Sequence, residues 1–306
     1  MLKILPIPFA ESLYGTTCAN TYKRILGVQA ANPNMEEHFK SNLLLRNCQI
    51  LEPVVFEKFP DDQIEKGSFF RTNLSMAQNV QARIVKNFDI KTDVLCCIGG
   101  DHSVAIGTGA GLSKITDMSK VGLIWVDAHG DSNTPNTSSS KSITGYPCAV
   151  NNGMGLEEFT SLFGGNFITK TVQIGIRDID LLETQNMQNY KTFSSLDVEE
   201  FGIAKIMQKT LEYLDDCDYL WLSMDIDSLD SVYFGKGETD EPVMAGLTPR
   251  ELLLITKKVQ ETGKLKIFEL VQLNDVGENT NLVVLASRLL EMGLGLGKYR
   301  YNDCKN

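Results

Sequence analysis

Seven short runs dense in β-branched and aromatic residues punctuate the chain, at 2–7, 50–56, 93–99, 121–127, 171–176, 219–225 and 264–271. Several are apolar at nearly every position, as in LCCI and VGLIWV, rather than at every second one. A strand with two apolar faces must be covered on both, which is the situation of parallel strands sandwiched between helices. Between the runs the spacing predicts helices near 74–88, 102–116, 202–214, 248–262 and 278–292. The fourth opens on Thr248-Pro249-Arg250-Glu251, a capping box with proline at the first helical position. Strand alternating with helix predicts right-handed crossovers and an α/β fold with an open, mainly parallel sheet. No internal repeat or low-complexity linker breaks the 306 residues, so 1–306 reads as a single domain.

The bulk properties narrow the function classes. A net charge of −10 argues against nucleic acid as a partner, because phosphate contacts require clustered Lys and Arg. No apolar run approaches the ~20 residues of a membrane span, and MLKILPIPFAES is too short for a secretory leader, so the expected location is cytoplasmic. The seven cysteines show no CxxC spacing and are expected to be buried free thiols.

Three motifs stand at strand ends, where ligands bind in an open α/β sheet. Gly99-Gly100-Asp101-His102-Ser103 follows the strand DVLCCI; its plain alternative has Asp101 capping the next helix and His102 as a polar helix-end residue. Asp127-Ala128-His129-Gly130-Asp131 follows VGLIWV, and alternation along an extended segment would send all three ligand-type side chains to one side. Asp225-Ile226-Asp227 follows YLWLSM; such a pair alone is common and often structural. Carboxylates gathered at one buried edge would each lose several kcal/mol of hydration, so a cation is needed to hold them together. Four carboxylates and two imidazoles without thiolate form a hard donor set that suits Mn²⁺, and would also accept Co²⁺ or Fe²⁺. Six ligands are too many for one catalytic ion with an open position; two ions roughly 3.5–4 Å apart fit better and lower the pKa of bound water toward about 7. The polar stretch 132–147 directly after the second motif is long enough to be a functional loop.

At these residues the chain resembles the arginase, agmatinase and formimidoylglutamase (ureohydrolase) family, whose hallmarks GGDHS, DAHxD and a late DxD all stand here in order. The resemblance runs through essentially the whole chain and is closest to the arginase pattern. It implies a three-layer α/β/α domain with a mostly parallel, about eight-stranded sheet. It also implies two Mn²⁺ per chain, one held by His102 and Asp131, the other by His129 and Asp227, with Asp127 and Asp225 bridging. Asn133 and Ser140 match the residues that contact the substrate α-carboxylate, and Asp180 the residue near the α-amino group. Glu269 matches the carboxylate that binds the guanidinium, a pairing favoured by bidentate geometry; its plain alternative is a strand-end residue paired with a lysine. Family members often form trimers or hexamers, so a homo-oligomer is expected.

The chain also departs from the pattern. Arginases carry a proton-shuttling His thirteen residues after the last Asp of DAHxD, where this chain has Thr144, which does not titrate near neutral pH. Of the three histidines, His38 lies in the charged segment MEEHFK and reads as a surface residue. The family segment Glu-Val-Asn-Pro becomes Glu269-Leu270-Val271-Gln272. A small residue at the shuttle position is what formimidoylglutamases show, but they generally carry an Arg soon after the last metal Asp, and Ser132-Asn133-Thr134-Pro135 is arginase-like. The expectation is therefore a binuclear manganese hydrolase of linear amidines. A metal-bridging hydroxide attacks the amidine carbon, Asp131 accepts its proton and Glu269 orients the substrate. A guanidino amino acid such as L-arginine is the first choice of substrate and N-formimidoyl-L-glutamate the second. The reading from another class is a metal-binding relative without turnover.

Overall fold

A computed structural model describes residues 1–11, 18–26, 48–60, 65–234, 239, 241–274 and 280–296; His38 and Cys304 lie outside them. Among the described residues one sheet has eight strands: β1 (Leu2–Pro6), β2 (Cys48–Ile50), β3 (Val94–Ile98), β4 (Val121–Val126), β5 (Lys170–Ile176), β6 (Lys191–Ser194), β7 (Tyr219–Asp225) and β8 (Leu265–Val271). Their order is β2-β1-β3-β8-β7-β4-β5-β6, with every neighbouring pair parallel. The helices are α1 (Thr21–Ile25), α2 (Phe70–Asn87), α3 (Val104–Leu112), α4 (Pro147–Asn151), α5 (Glu157–Thr160), α6 (Ser195–Phe201), α7 (Ile203–Tyr213), α8 (Pro249–Glu261) and α9 (Thr280–Gly293). The three-layer α/β/α expectation holds, and none of these helices is long and apolar enough to cross a membrane.

Alternate residues of the central strands feed two cores. Ile98, Ile124, Val126, Leu222 and Phe268 pack with α6, α7, α8 and α9, whereas Leu95, Cys97, Trp125, Trp221 and Ile267 pack with α2 and α3. At roughly 25 cal/mol per Å² of apolar surface removed from water, this double coverage is the main favourable contribution to the fold. The six described cysteines are all buried.

Two expectations needed correction. The strand expected at 50–56 is a short one at Cys48–Ile50. Beyond it the chain still follows β1, with Leu51 N–H donating to Ile4 at 2.8 Å and Val54 N–H to Pro6 at 3.0 Å, but Pro53 between them has no N–H to offer. The strand β6 was not expected, because Lys191–Ser194 buries only Phe193 and lies at the sheet edge. The capping box at α8 is present: Glu251 accepts from Thr248 N–H at 2.7 Å and donates its own N–H to Thr248 Oγ1 at 3.3 Å. Gly100 sits where β3 passes the segment after β1: a Cβ there would lie 1.4 Å from the Phe9 carbonyl oxygen, so only glycine lets the loop to His102 form.

Candidate metal centre and its cavity

The centre lies beyond the carboxyl ends of β3, β4 and β7, three of the four central strands. His102 is carried by the turn between β3 and α3, Asp127, His129 and Asp131 by the segment after β4, and Asp225 and Asp227 by the end of β7. His102 Nδ1 lies 3.0 Å from Asp127 Oδ2, 3.1 Å from Asp131 Oδ2 and 3.1 Å from Asp225 Oδ2. His129 Nδ1 is 3.4 Å from Asp127 Oδ1 and 3.2 Å from Asp227 Oδ2. Two triads, His102–Asp127–Asp131 and Asp127–His129–Asp227, each hold their donor atoms within 4.8 Å of one another, and Asp127 belongs to both.

Convergence is achieved differently from the expected alternation. After β4 the chain leaves the extended conformation, and Asp131 turns back toward His102 at a left-handed φ of 46°. A non-glycine residue held there stores local strain of order 1 kcal/mol or more, which the surrounding structure must offset. After Asp225 the chain enters a short 3₁₀ turn, Ile226–Ser228, with Asp225 Oδ1 accepting the Asp227 N–H at 2.8 Å. Asp101 Oδ1 takes the Ser103 N–H at 3.1 Å within the turn that precedes α3, whose cap position is Ser103, without a side-chain cap bond. Asp101 therefore steadies the turn that carries His102 rather than capping the helix.

The hydrogen-bond directions test whether a cation fits. Ser223 Oγ donates to Glu269 Oε2 at 2.8 Å and therefore accepts from His102 Nε2 at 2.9 Å. That leaves Nδ1 facing three carboxylate oxygens. His102 Nδ1, Asp131 Oδ2 and Asp227 Oδ2 are buried without a hydrogen-bond partner, an arrangement a divalent cation would satisfy. The charges agree. Burial works against a charged His102, yet its contacts with Asp127, Asp131 and Asp225 hold its pKa well above the ordinary value. Burial, and then mutual repulsion, raises Asp131, Asp225 and Asp227, whereas Asp127 is held low against its burial by the two imidazoles. Without metal the two imidazoles must carry protons that a cation would displace.

The residues behind the ligands were mostly missed in the sequence. Trp125 stacks on the His102 ring at 3.9 Å between centroids and 7° between planes, and its Nε1–H donates to Asp127 Oδ2 at 3.0 Å. Arg177 fastens two loops together, its Nη2 donating to the carbonyls of Asp227 at 2.8 Å, Leu229 at 3.0 Å and Val243 at 3.0 Å. Glu269 is brought to the cluster but not to the cavity wall. Fully buried, it accepts from Thr108 Oγ1 at 2.7 Å and from Ser223 at 2.8 Å, so it stands behind His102 rather than in open contact with a ligand. The lysine-paired alternative for Glu269 is thereby set aside.

A cavity of about 380 Å³ opens onto His129 and Asp131. Asn133, Ser140 and Asp180 all line it, with Asn133 Nδ2 donating to Asp180 Oδ2 at 3.0 Å. Thr144 and Gln272 also face it. Asp178, Glu183 and Glu241, not expected from the sequence, add three carboxylates, and no Lys or Arg lines it among the described residues. Glu241 Oε2 approaches His129 Nε2 at 3.8 Å.

Glu183 is almost wholly buried and accepts the N–H groups of Ser132 at 2.6 Å and Asp180 at 3.2 Å; burial nevertheless pushes its pKa up to about 7. Relative to an ordinary value of 4.5, the folded protein then binds an extra proton between about pH 4.5 and 7. Its contribution to stability is full below that window and falls as pH rises through it. Glu183→Gln, which cannot titrate, is expected to flatten this part of the pH profile when metal-free protein is unfolded with urea in the presence of chelator. An unchanged profile would remove the assignment.

An α/β/α fold with two carboxylate–imidazole triads at its carboxyl edge defines a metal-capable site. The sequence model described as "Arginase family" matches residues 29–294, and the chain belongs to that family. The arginase of Bacillus subtilis (strain 168) is 35% identical over 238 residues, covering 75% of this chain and 77% of that one. The arginase of Coccidioides posadasii is 34% identical over 217 residues; the match covers 67% of this chain and 66% of that one, just under two thirds of its length. The crystal structure of Entamoeba histolytica arginase in complex with L-ornithine superposes with a TM-score of 0.84 at 25% identity, covering 96% and 97% of the two chains.

Proposed function

We propose that the chain is a binuclear manganese hydrolase that converts L-arginine to L-ornithine and urea. The observation that carries this reading is the cavity itself: its wall joins the metal triads to further carboxylates without a Lys or Arg among the described residues, a lining suited to a cationic, nitrogen-rich head group. Similarity to proteins named arginases, one of them holding L-ornithine, supports the choice.

In this reading Asp127 and Asp225 join the two halves of the centre, His102 and Asp131 complete one half, and His129 and Asp227 the other. When bound, a pair of Mn²⁺ would supply an activated water at neutral pH. Ser223 and Glu269 fix the His102 tautomer with Nδ1 toward the centre. Asn133 and Ser140 bind the α-carboxylate, Asp180 the α-amino group, and the amidine carbon is thereby positioned over the centre. Asp131 takes up the proton released as that carbon is attacked. Thr144 offers no titratable proton to the leaving amine, which leaves N-formimidoyl-L-glutamate as the second reading. A cytoplasmic homo-oligomer, trimer or hexamer, belongs to the same proposal.

The test is a panel of L-arginine, agmatine, guanidinobutyrate and N-formimidoyl-L-glutamate on Mn²⁺-loaded protein, scoring urea, ammonia and formamide separately. Arginine is expected to be turned over fastest, and agmatine, without an α-carboxylate for Asn133 and Ser140, poorly. Faster hydrolysis of agmatine than of both amino acids would overturn the roles of these two residues. Formamide from formimidoylglutamate as the sole product would move the protein to the second reading.

A further inference from the structure

The Gln272 side chain is almost wholly buried, yet it is one of the groups lining the cavity. Its backbone is held at a left-handed φ of 61°, a conformation that costs a non-glycine residue energy, and its N–H donates to the Gly100 carbonyl at 2.8 Å. The preceding residue, Val271, is the sheet partner of Asp225. Gln272 is therefore fixed on the metal side of the cavity, between the Gly100 turn that leads to His102 and the end of β7. Its Nε2 donates to Thr144 Oγ1 at 3.2 Å, while Oε1 is buried with no hydrogen-bond partner. A buried acceptor without a partner carries a free-energy cost that an arriving donor relieves.

We propose that Gln272 Oε1 accepts an N–H of the substrate's nitrogenous head group, making Gln272 a specificity-determining residue, with Thr144 serving as its anchor. This rests on the amidine-hydrolase reading and deepens it. The Thr144 hydroxyl holds one end of the amide, so the other end has a fixed direction and accepts without the entropy cost of ordering a free side chain. An amide oxygen is neutral at every working pH, so this contact recognises a nitrogen head without supplying or removing a proton. The pair therefore gives the cavity a recognition element at the place where a titratable side chain would give it a shuttle. A head group that presents only acceptors there would leave two acceptors facing each other and is rejected.

The experiment compares two ligands that differ only at the head. L-ornithine carries a terminal ammonium; L-norvaline has the same α-carboxylate, α-amino group and carbon chain without it. Binding of each to Mn²⁺-loaded wild-type, Gln272→Met and Gln272→Glu proteins is measured by titration calorimetry. Gln272→Met, which keeps the volume and removes the acceptor, is expected to weaken L-ornithine roughly 10- to 100-fold and leave L-norvaline unchanged. Gln272→Glu keeps an acceptor and adds charge, so it is expected to bind L-ornithine at least as tightly as wild type. That second comparison stands even if the methionine variant does not fold. Equal losses for both ligands, no loss for either, or weaker L-ornithine binding by a stably folded Gln272→Glu would overturn the proposal. Wild-type protein that binds neither ligand and hydrolyses none of the four panel compounds would instead overturn the amidine-hydrolase reading and this inference with it. Turnover of arginine by the wild type, together with a Gln272→Met variant that still binds L-ornithine as tightly as wild type, would overturn the Gln272 assignment alone.

Discussion

Asp127→Asn is expected to leave the protein unable to retain either metal ion. Asp127 is the member common to both triads, its Oδ2 3.0 Å from His102 Nδ1 and its Oδ1 3.4 Å from His129 Nδ1. The same oxygens already serve as acceptors, Oδ2 for Trp125 Nε1–H at 3.0 Å and Oδ1 for the His129 N–H at 2.8 Å. An amide can reproduce only one of these acceptors; its NH₂ would face a donor at the other and withdraw a negative charge from both halves of the centre. Loss of an outer-shell partner alone typically costs 10- to 100-fold in metal affinity, so loss of a shared ligand should cost at least about 100-fold. After Mn²⁺ loading and desalting, metal analysis is expected to find two ions per wild-type chain, about one in His102→Ala, and fewer than one in Asp127→Asn. Thermal unfolding offers a second readout. Mn²⁺ at about 100 times its dissociation constant would add roughly 2.7 kcal/mol per occupied site to the wild type, and the Asp127→Asn melting temperature should no longer respond. Two ions retained by Asp127→Asn would sink the shared-ligand geometry.

Which parts of this centre were legible in the sequence follows from the range over which its physics acts. The six ligand-type residues stand in three local motifs, each at the end of an apolar strand, and strand order need not be known to see that a parallel sheet gathers such ends on one edge. The supporting residues obey a weaker local rule. Trp125 and Ser223 each precede a ligand Asp by two positions, and period-two alternation places them on the ligand's face. Sheet pairing then sets Trp125 beside Ser223 and Ser223 beside Glu269, one row across β4, β7 and β8. A lone serine inside YLWLSMD was the available signal for that row. Glu183 had only its place three residues after Asp180 as a clue, and Glu241 had none, because it reaches His129 by way of loops that Arg177 fastens. The direction of the Glu269 side chain likewise depends on Thr108, 161 residues away. The left-handed turn at Asp131 escaped for another reason: alternation presumes an extended chain, and nothing in a five-residue motif announces that it bends.

Placing an imidazole at position 144 is expected to raise arginine turnover, and the structure says how it must be done. Thr144 lies on the cavity wall and is only 5% exposed, with its hydroxyl 3.2 Å from Gln272 Nε2. A larger ring there meets the Gln272 carboxamide, so Thr144→His should be combined with Gln272→Ala to give the ring room. General acid assistance to a leaving amine is typically worth 10²–10⁴-fold, so a gain in kcat of roughly 10²-fold is expected where the ring reaches that nitrogen. The gain should fade as pH rises through an ordinary histidine pKa of about 6.5, a descending limb that neither the parent protein nor Gln272→Ala alone should show. Removing Gln272 also removes the acceptor for the head group, so KM should rise roughly tenfold or more in the double variant. kcat and KM thus move by separate causes, and the Gln272→Ala control separates them. If the protein acts on N-formimidoyl-L-glutamate, the small threonine is making room for a different head, and histidine should lower that activity. A relative without turnover would show neither activity before or after the change. Unchanged arginine kcat in a folded double variant that retains both metal ions would count against the arginase reading, because the proton the leaving amine needs would then be coming from somewhere other than this wall of the cavity.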